Sequence, residues 1–288
     1  MDGLLIDSED LYTICTNTLL REYGRPDLPW SIKAQLQGRP GPEAGRIFQE
    51  WAQLPITREE FMIKQTALQK ELFPRTQPLP GVLTLLQALS AATTTTNKPV
   101  HIALATSSHK GNFDLKTTHL SHVFSLFPTN RRILGDDPRI PLGKGKPAPD
   151  IFLLALKLVN DSLAPGEPEV RPEECLVFED SVPGVEAGRR AGMRVVWCPH
   201  PGLLEEYSGR EKQVLAGLAG QEQKKELEGT KEVVATKDDI QGKEERSGER
   251  VKGAPGRIDD GWAILLKSLE DFPYEEYGIL VGVNSDRL

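Results

Sequence analysis

From Ser8 to Phe73 the apolar positions recur at helical spacing: Leu11, Ile14, Cys15 and Leu19, then Ile47 and Trp51, then Phe61, Leu68 and Leu72. Pro26, Pro29, Pro40, Pro42 and Pro55 interrupt them. Side chains three and four residues apart share one face of a helix, and proline cannot continue one, so this spacing predicts several short helices. After Pro80-Gly81 the texture changes. Short apolar runs rich in strand formers now alternate with longer amphipathic ones, the pattern of βαβ units in a parallel sheet. Strands are predicted at His101 to Ala105, Arg132 to Leu134, Cys175 to Phe178 and Arg194 to Trp197. Helices are predicted at Val82 to Ala91, Asn112 to Thr118, Pro149 to Val159 and Gly184 to Ala191. Residues 220–257 mix charges and carry few large apolar side chains. Such a stretch buries too little surface to offset the entropy of ordering it, and a disordered insertion is expected there. Order is expected to resume at Trp262 to Phe272, where Trp262, Leu265, Leu266, Leu269 and Phe272 can dock on the core.

Composition narrows the partners. With 38% hydrophobic and 27% charged residues over 288 positions, the chain can build a sizeable core. No apolar run approaches the roughly 18 residues that span a bilayer, so no membrane partner is expected. The net charge of -7 argues against a general nucleic-acid binder, because affinity for a phosphate backbone comes from clustered Lys and Arg. Cys15, Cys175 and Cys198 form neither a disulfide framework nor a zinc pattern, which fits a reducing, cytoplasmic setting. No charged start followed by an apolar run marks a secretory leader.

Ligands of a doubly wound parallel sheet bind at the carboxyl ends of its strands, so the polar residues directly after each strand are the candidates for chemistry. They are Asp2 at the start, Thr106, Ser107 and Ser108 after the first strand, Lys146 in GKGKPAPD, and Glu179 with Asp180 after CLVF. Hydroxyls and a lysine can hold a phosphate, while acidic groups beside them would repel it unless a cation stands between. Together these residues imply a phosphate and Mg2+. The Gly-Lys pairs at 143–146 are not a nucleotide-binding P-loop, since neither lysine is followed by Ser or Thr.

The four segments MDGLLIDSE, ALATSS, GKGKPAPDIF and CLVFEDSVPGVEAGRRAGM resemble, in order, the four motifs of the haloacid dehalogenase-like hydrolases, the aspartate-nucleophile phosphatases. The resemblance spans about residues 1–200 and is strongest to the pseudouridine-5'-phosphatase-like branch. It implies an α/β fold: a Rossmann-like parallel sheet core with an inserted helical cap domain. The expected division is core at 1–9, helical cap at 10–78, core at 79–219, the charged insertion at 220–257 and a C-terminal core segment and tail at 258–288. In the family's first motif, Asp-x-Asp-Gly, the first Asp is the nucleophile and the second the general acid and base. Met1 occupies the x here, so Asp2 corresponds to the acid/base, and the nucleophile with its strand is expected upstream of residue 1.

The resemblance gives the remaining roles. Thr106, Ser107 and Lys146 would bind the non-bridging phosphate oxygens, and Mg2+ would be held by Glu179, Asp180 and the backbone oxygen of Asp2. The expected substrate is a small phosphorylated metabolite: a nucleotide, nucleoside or sugar monophosphate. A monomer is expected, with residues 220–257 available to a protein partner. Two rival readings remain, a phosphosugar mutase on the same fold and a non-catalytic phosphate-binding or regulatory protein. Mutases of the family use a cap arginine just after the Gly of the first cap loop, and QGRPGPEAG puts Arg39 nearer than that and Gly41 at the expected place, which counts against the mutase.

Overall fold

The structure is a computed structural model, and it describes residues 1–39, 41–220, 253–270 and 272–282. Most of the charged stretch at 220–257 therefore lies outside the described residues, as do positions 283–288. Four helices come first: α1 (Ser8–Glu22), α2 (Trp30–Leu36), α3 (Gly41–Ala52) and α4 (Arg58–Leu72). The remainder alternates helix and strand: α5 (Val82–Ala91), β1 (Thr93–Thr94), β2 (Leu104–Ala105), α6 (Lys110–Thr117), α7 (Ser121–Phe124), β3 (Arg132–Ile133) and α8 (Asp150–Asn160). There follow β4 (Leu176–Glu179), α9 (Val182–Arg190), β5 (Arg194–Trp197), α10 (Pro201–Glu206), α11 (Glu211–Leu215), β6 (Ala263–Leu265) and β7 (Ile279–Leu280).

The helical unit has its own small core of Leu19, Leu20, Phe48, Ala52 and Phe61 with Trp51 and Leu68 packed against it; of the apolar positions read from the sequence, Leu19, Trp51, Phe61 and Leu68 join it, whereas Ile14 is exposed. Prolines set its helix boundaries, with Pro29 standing before α2 in extended backbone. At the start of α4, Thr57 and Glu60 close a capping box: Thr57 Oγ1 accepts from the Glu60 N–H at 3.1 Å, and Glu60 Oε2 accepts from the Thr57 N–H at 2.8 Å. Two otherwise orphaned donors are satisfied reciprocally. Thr57→Ala is expected to cost about 1 kcal/mol, measured as a shift of the urea midpoint at unchanged slope.

The parallel strands form two groups, β2 beside β3 and, separately, β4-β5-β6. In β5 the run Val195-Val196-Trp197 is buried because both of its faces are covered. Val196 packs into the cluster with Leu4, Ile6, Leu86 and Phe272, while Val195 and Trp197 face the cluster with Ile151, Val185 and Leu203. The strand predicted at His101 to Ala105 shortens to Leu104–Ala105, the part whose partner β3 is itself two residues long. The segment beginning at Trp262 docks on the core, with Leu269 and Phe272 buried in it, and contributes β6, a parallel strand beside β5 (Val196↔Ile264). Arg189, fully buried on α9, secures that return by donating to the Leu215 and Gly253 carbonyls and pairing with Asp260. No helix among the described residues is long and apolar enough to cross a membrane.

Candidate active site

Every parallel strand that carries a predicted site residue delivers it from its carboxyl end. Thr106 leaves β2 with its N–H donating to the Ile133 carbonyl at 3.0 Å, so the loop is fixed to β3 before the hydroxyl is reached. Thr106 is buried, and its Oγ1 accepts from the Ser108 N–H at 3.2 Å. Ser107 is exposed, whereas Ser108 is buried. Lys146, buried after β3, ion-pairs with Glu179 at the end of β4. Ser181, the N-cap of α9, donates its hydroxyl to Glu179 Oε2 at 3.0 Å and accepts the Gly184 N–H. Asp180 stands between Glu179 and Ser181, and its carbonyl accepts from Trp197 Nε1 at 3.0 Å.

The Asp2-Gly3 turn joins this group. Gly3 has φ +67°, and a Cβ on it would stand 2.5 Å from Asp180 Oδ2. Only glycine offers both the left-handed backbone and the missing atom, so the first turn of the chain lies directly against the Asp180 carboxylate. Asp2 Oδ1 accepts from Ser8 Oγ at 2.6 Å and from Lys116. Lys116 is fully buried on α6, donates to Ser108 Oγ at 2.9 Å and Tyr12 Oη at 3.2 Å, and lies over the rings of Tyr12 and Phe73. It ties the Asp2 turn to the Thr106-Ser107-Ser108 loop. Burial by itself would raise the Asp2 carboxyl, but Lys116, the adjacent terminal ammonium of Met1 and the Ser8 hydroxyl hold it below the usual carboxylate range.

The helical unit supplies the rest. Glu9, raised by burial against the pull of Lys33, meets Lys33 Nζ at 3.3 Å, and Lys33 also donates to the Glu9 carbonyl at 2.9 Å and Thr13 Oγ1 at 2.7 Å. Gln37 Nε2 donates to Asp180 Oδ2 at 2.5 Å. Three of the four largely buried carboxylates pair with lysine ammonium groups, Asp2 with Lys116, Glu9 with Lys33, and Glu179 with Lys146, and the terminal ammonium of Met1 adds a further positive charge acting on Asp2, Glu179 and Asp180. Asp180 is the fourth carboxylate and has no ion pair among the described residues. Burial first, and then the nearby Glu179, push its carboxyl well above the ordinary range. Burial would raise Glu179, but Lys146, the terminal ammonium of Met1 and the Ser181 N–H together hold it low.

This charge pattern is what a hard divalent cation fits. The one site carboxylate without an ion pair among the described residues is an oxygen-donor group, Asp180, with the Gly3 backbone against it. Among the described residues no group of three or more His, Cys, Asp and Glu side chains forms a cage. Glu179, expected from the sequence as a ligand, directs its carboxylate to Lys146 and Ser181. Lys116, Ser8, Glu9 and Gln37 were not singled out from the sequence. A lysine in NFDLKT reads as a solvated helix position, and nothing local reveals that α6 turns it inward.

The family model of the haloacid dehalogenase-like hydrolases matches residues 1–192. A probable pseudouridine-5'-phosphatase of Saccharomyces cerevisiae is 46% identical over 201 residues, covering 70% of this chain and 80% of the yeast protein. A (DL)-glycerol-3-phosphatase of Arabidopsis thaliana is 34% identical over 220 residues, covering 76% and 85%. Among solved structures, a putative beta-phosphoglucomutase from Thermotoga maritima superposes with a TM-score of 0.50 at 29% identity, covering 71% of this chain and 88% of its own. The chain belongs to the haloacid dehalogenase-like hydrolases. Its fold is their Rossmann-like α/β fold, and the enzyme class it shares with these relatives is the phosphomonoesterases.

Proposed function

We propose that the protein is a Mg2+-dependent phosphatase of a small phosphorylated metabolite, with residues 10–78 acting as a cap over the site. The observation that carries this reading is the buried Asp180 carboxylate, which has no ion pair among the described residues and stands beside the Glu179–Lys146 pair at the end of β4. Mg2+, held by Asp180 and the Asp2 backbone oxygen with Glu179 behind it, would supply the positive charge that lets an anionic ester approach these carboxylates. Thr106 and Ser107 at the β2 tip, with Lys146, would hold the non-bridging oxygens, and Lys146 is kept in place by Glu179. Asp2 Oδ1 is engaged by Ser8 and Lys116, which leaves Oδ2 as the oxygen to protonate the departing alcohol and then activate water.

The attacking carboxylate is placed on a strand preceding Asp2. Two features support this: the Asp-Gly of the first motif stands at residues 2 and 3, and β2 and β4 border separate sheets that one parallel strand would join into a single sheet. An aspartyl phosphate splits one difficult displacement into two easier ones. The relatives name the first substrates to try, pseudouridine 5'-phosphate and glycerol 3-phosphate. The mutase reading is weaker, because Arg39 pairs with Glu43 of α3 at 2.7 Å.

The test assays p-nitrophenyl phosphate and these two esters with Mg2+. It uses the 288-residue chain and a version carrying a strand that ends in Asp one residue before Met1 takes its place as the x. Turnover by the extended version alone is expected. Substantial turnover by the 288-residue chain that Asp180→Ala abolishes would refute the placement of the nucleophile.

A further inference from the structure

Gln37 is the C-cap of α2, in extended backbone at φ -62°, ψ 134°. Gly38 follows at φ +74°, and a Cβ there would stand 2.3 Å from Ser181 Oγ, so this turn of the helical unit presses directly on the turn between β4 and α9. Gln37 is 7% exposed. Its Nε2 donates to Asp180 Oδ2, yet its Oε1 is buried with no hydrogen-bond partner among the described residues. A buried polar atom left unpaired is costly, and native structures retain one where a water or an ion satisfies it or where function needs it.

The surroundings decide what would satisfy Oε1. The adjacent side chain, Asp180, is the one site carboxylate without an ion pair among the described residues, and it too offers acceptor oxygens. What stands between two such acceptors is a proton donor or a cation. An amide carbonyl is a hard, neutral oxygen donor of the kind that ligates Mg2+ or Ca2+. The terminal amide torsion of glutamine is broad and roughly two-fold, so one rotation exchanges the N–H that now faces Asp180 for the carbonyl oxygen.

We infer that Gln37 is a ligand carried by the helical unit, direct or through one water, for the cation held at Asp180. Its amide N–H faces the bare carboxylate, and its Oε1 faces the cation once that is bound. This rests on the metal-dependent reading of the site and extends it. The cation then holds cap and core together, and a position in the cap sets the metal affinity of the core.

The experiment measures Mn2+ binding to the 288-residue chain by electron paramagnetic resonance and follows the Gln37 side-chain amide by 15N–1H NMR during a Mg2+ titration. Its signals are assigned by their loss in Gln37→Leu. Gln37→Leu, close in volume, is expected to weaken Mn2+ binding about tenfold, the scale of an altered metal surrounding, and Gln37→Glu to retain or tighten it. The Gln37 amide signals are expected to shift with Mg2+ and to broaden beyond detection with Mn2+. Unchanged Mn2+ affinity in Gln37→Leu, or an amide that does not respond to Mg2+, overturns the inference. Asp180→Asn separates the two layers of the reading. Should Asp180→Asn lose Mn2+ while Gln37→Leu does not, only the role of Gln37 falls. Should Asp180→Asn bind as tightly as the unsubstituted chain, or the latter bind no Mn2+, the metal reading falls with it.

Discussion

Asp180→Asn is expected to remove the stabilisation that Mg2+ gives this protein and at the same time to make the metal-free protein more stable. The two effects have one cause. Asp180 is buried, lacks an ammonium partner among the described residues, and sits beside Glu179, so its charge is a liability until a cation arrives. A ligand that binds only the folded state stabilises it by about 2.7 kcal/mol at one hundred times its Kd, and Asn should reduce that gain to near zero. In EDTA at pH 7 the variant should gain about 1 kcal/mol, the usual trade between stability and a strained functional site. The pH dependence fixes the sign. A carboxyl raised in the folded state binds its proton more tightly there than in the unfolded chain. Stability without metal is therefore highest below the unfolded value, near pH 4, and falls as pH rises through the raised folded value. Asn removes that slope. Thermal unfolding in EDTA and in Mg2+, from pH 4 to pH 8, measures all three effects, and a destabilised Asn variant whose melting still responds to Mg2+ would refute the assignment.

The second large effect is expected at Lys116. It is fully buried, and Lys116→Met would leave the Asp2 carboxylate, 19% exposed, without its counter-charge. Removing one partner of a buried pair costs about 3–5 kcal/mol, and the partial exposure of Asp2 places this case near 3. Asp2→Asn combined with Lys116→Met should recover most of the loss, because no charge then remains unpaired. Burial opposes both charges, but the pairing wins: Asp2 is held low and Lys116 high. The depressed Asp2 contributes stability above the unfolded carboxyl value, lost as pH falls through its folded value. The raised Lys116 contributes below the unfolded ammonium value, lost as pH rises through its folded value. The wild-type advantage over Lys116→Met should accordingly be full from about pH 5 to pH 9 and shrink in acid. Urea denaturation at pH 7 and pH 3 checks this, and an equal cost at both values would show that Lys116 matters through packing alone.

Much of this protein was legible along the chain. The change from helical spacing to alternating strands and helices at Pro80-Gly81, the βαβ pattern and the family resemblance gave a fold and an enzyme class that the structure and the relatives bear out. Thr106, Glu179 and Asp180 are legible because strand ends are marked locally, an apolar run stopping where a Thr, Glu or Asp follows, whereas Lys146 stands in the long loop after β3 and is marked by the GKGKPAPD motif. Local pattern could not say which of them face one another. Glu179 and Asp180 are neighbours of one type, yet one meets Lys146 and the other meets Gln37 of a different layer. Lys116 looks like an ordinary helix lysine, and only the packing of α6 against the first turn makes it the partner of Asp2. Likewise Trp262 to Phe272 showed its apolarity but not that it begins as a strand, since parallel pairing with β5 joins residues far apart in sequence.

The order of residues by itself determined the elements, the enzyme class and which side chains stand at the strand tips, because helix and strand periods and turn chemistry act over a few neighbouring positions. Only the tertiary structure decided how the charges pair and which carboxylate is left over. Coulomb attraction and desolvation depend on distance and burial, and these arise when segments more than one hundred residues apart, such as Asp2 with Lys116 and Gln37 with Asp180, are brought together.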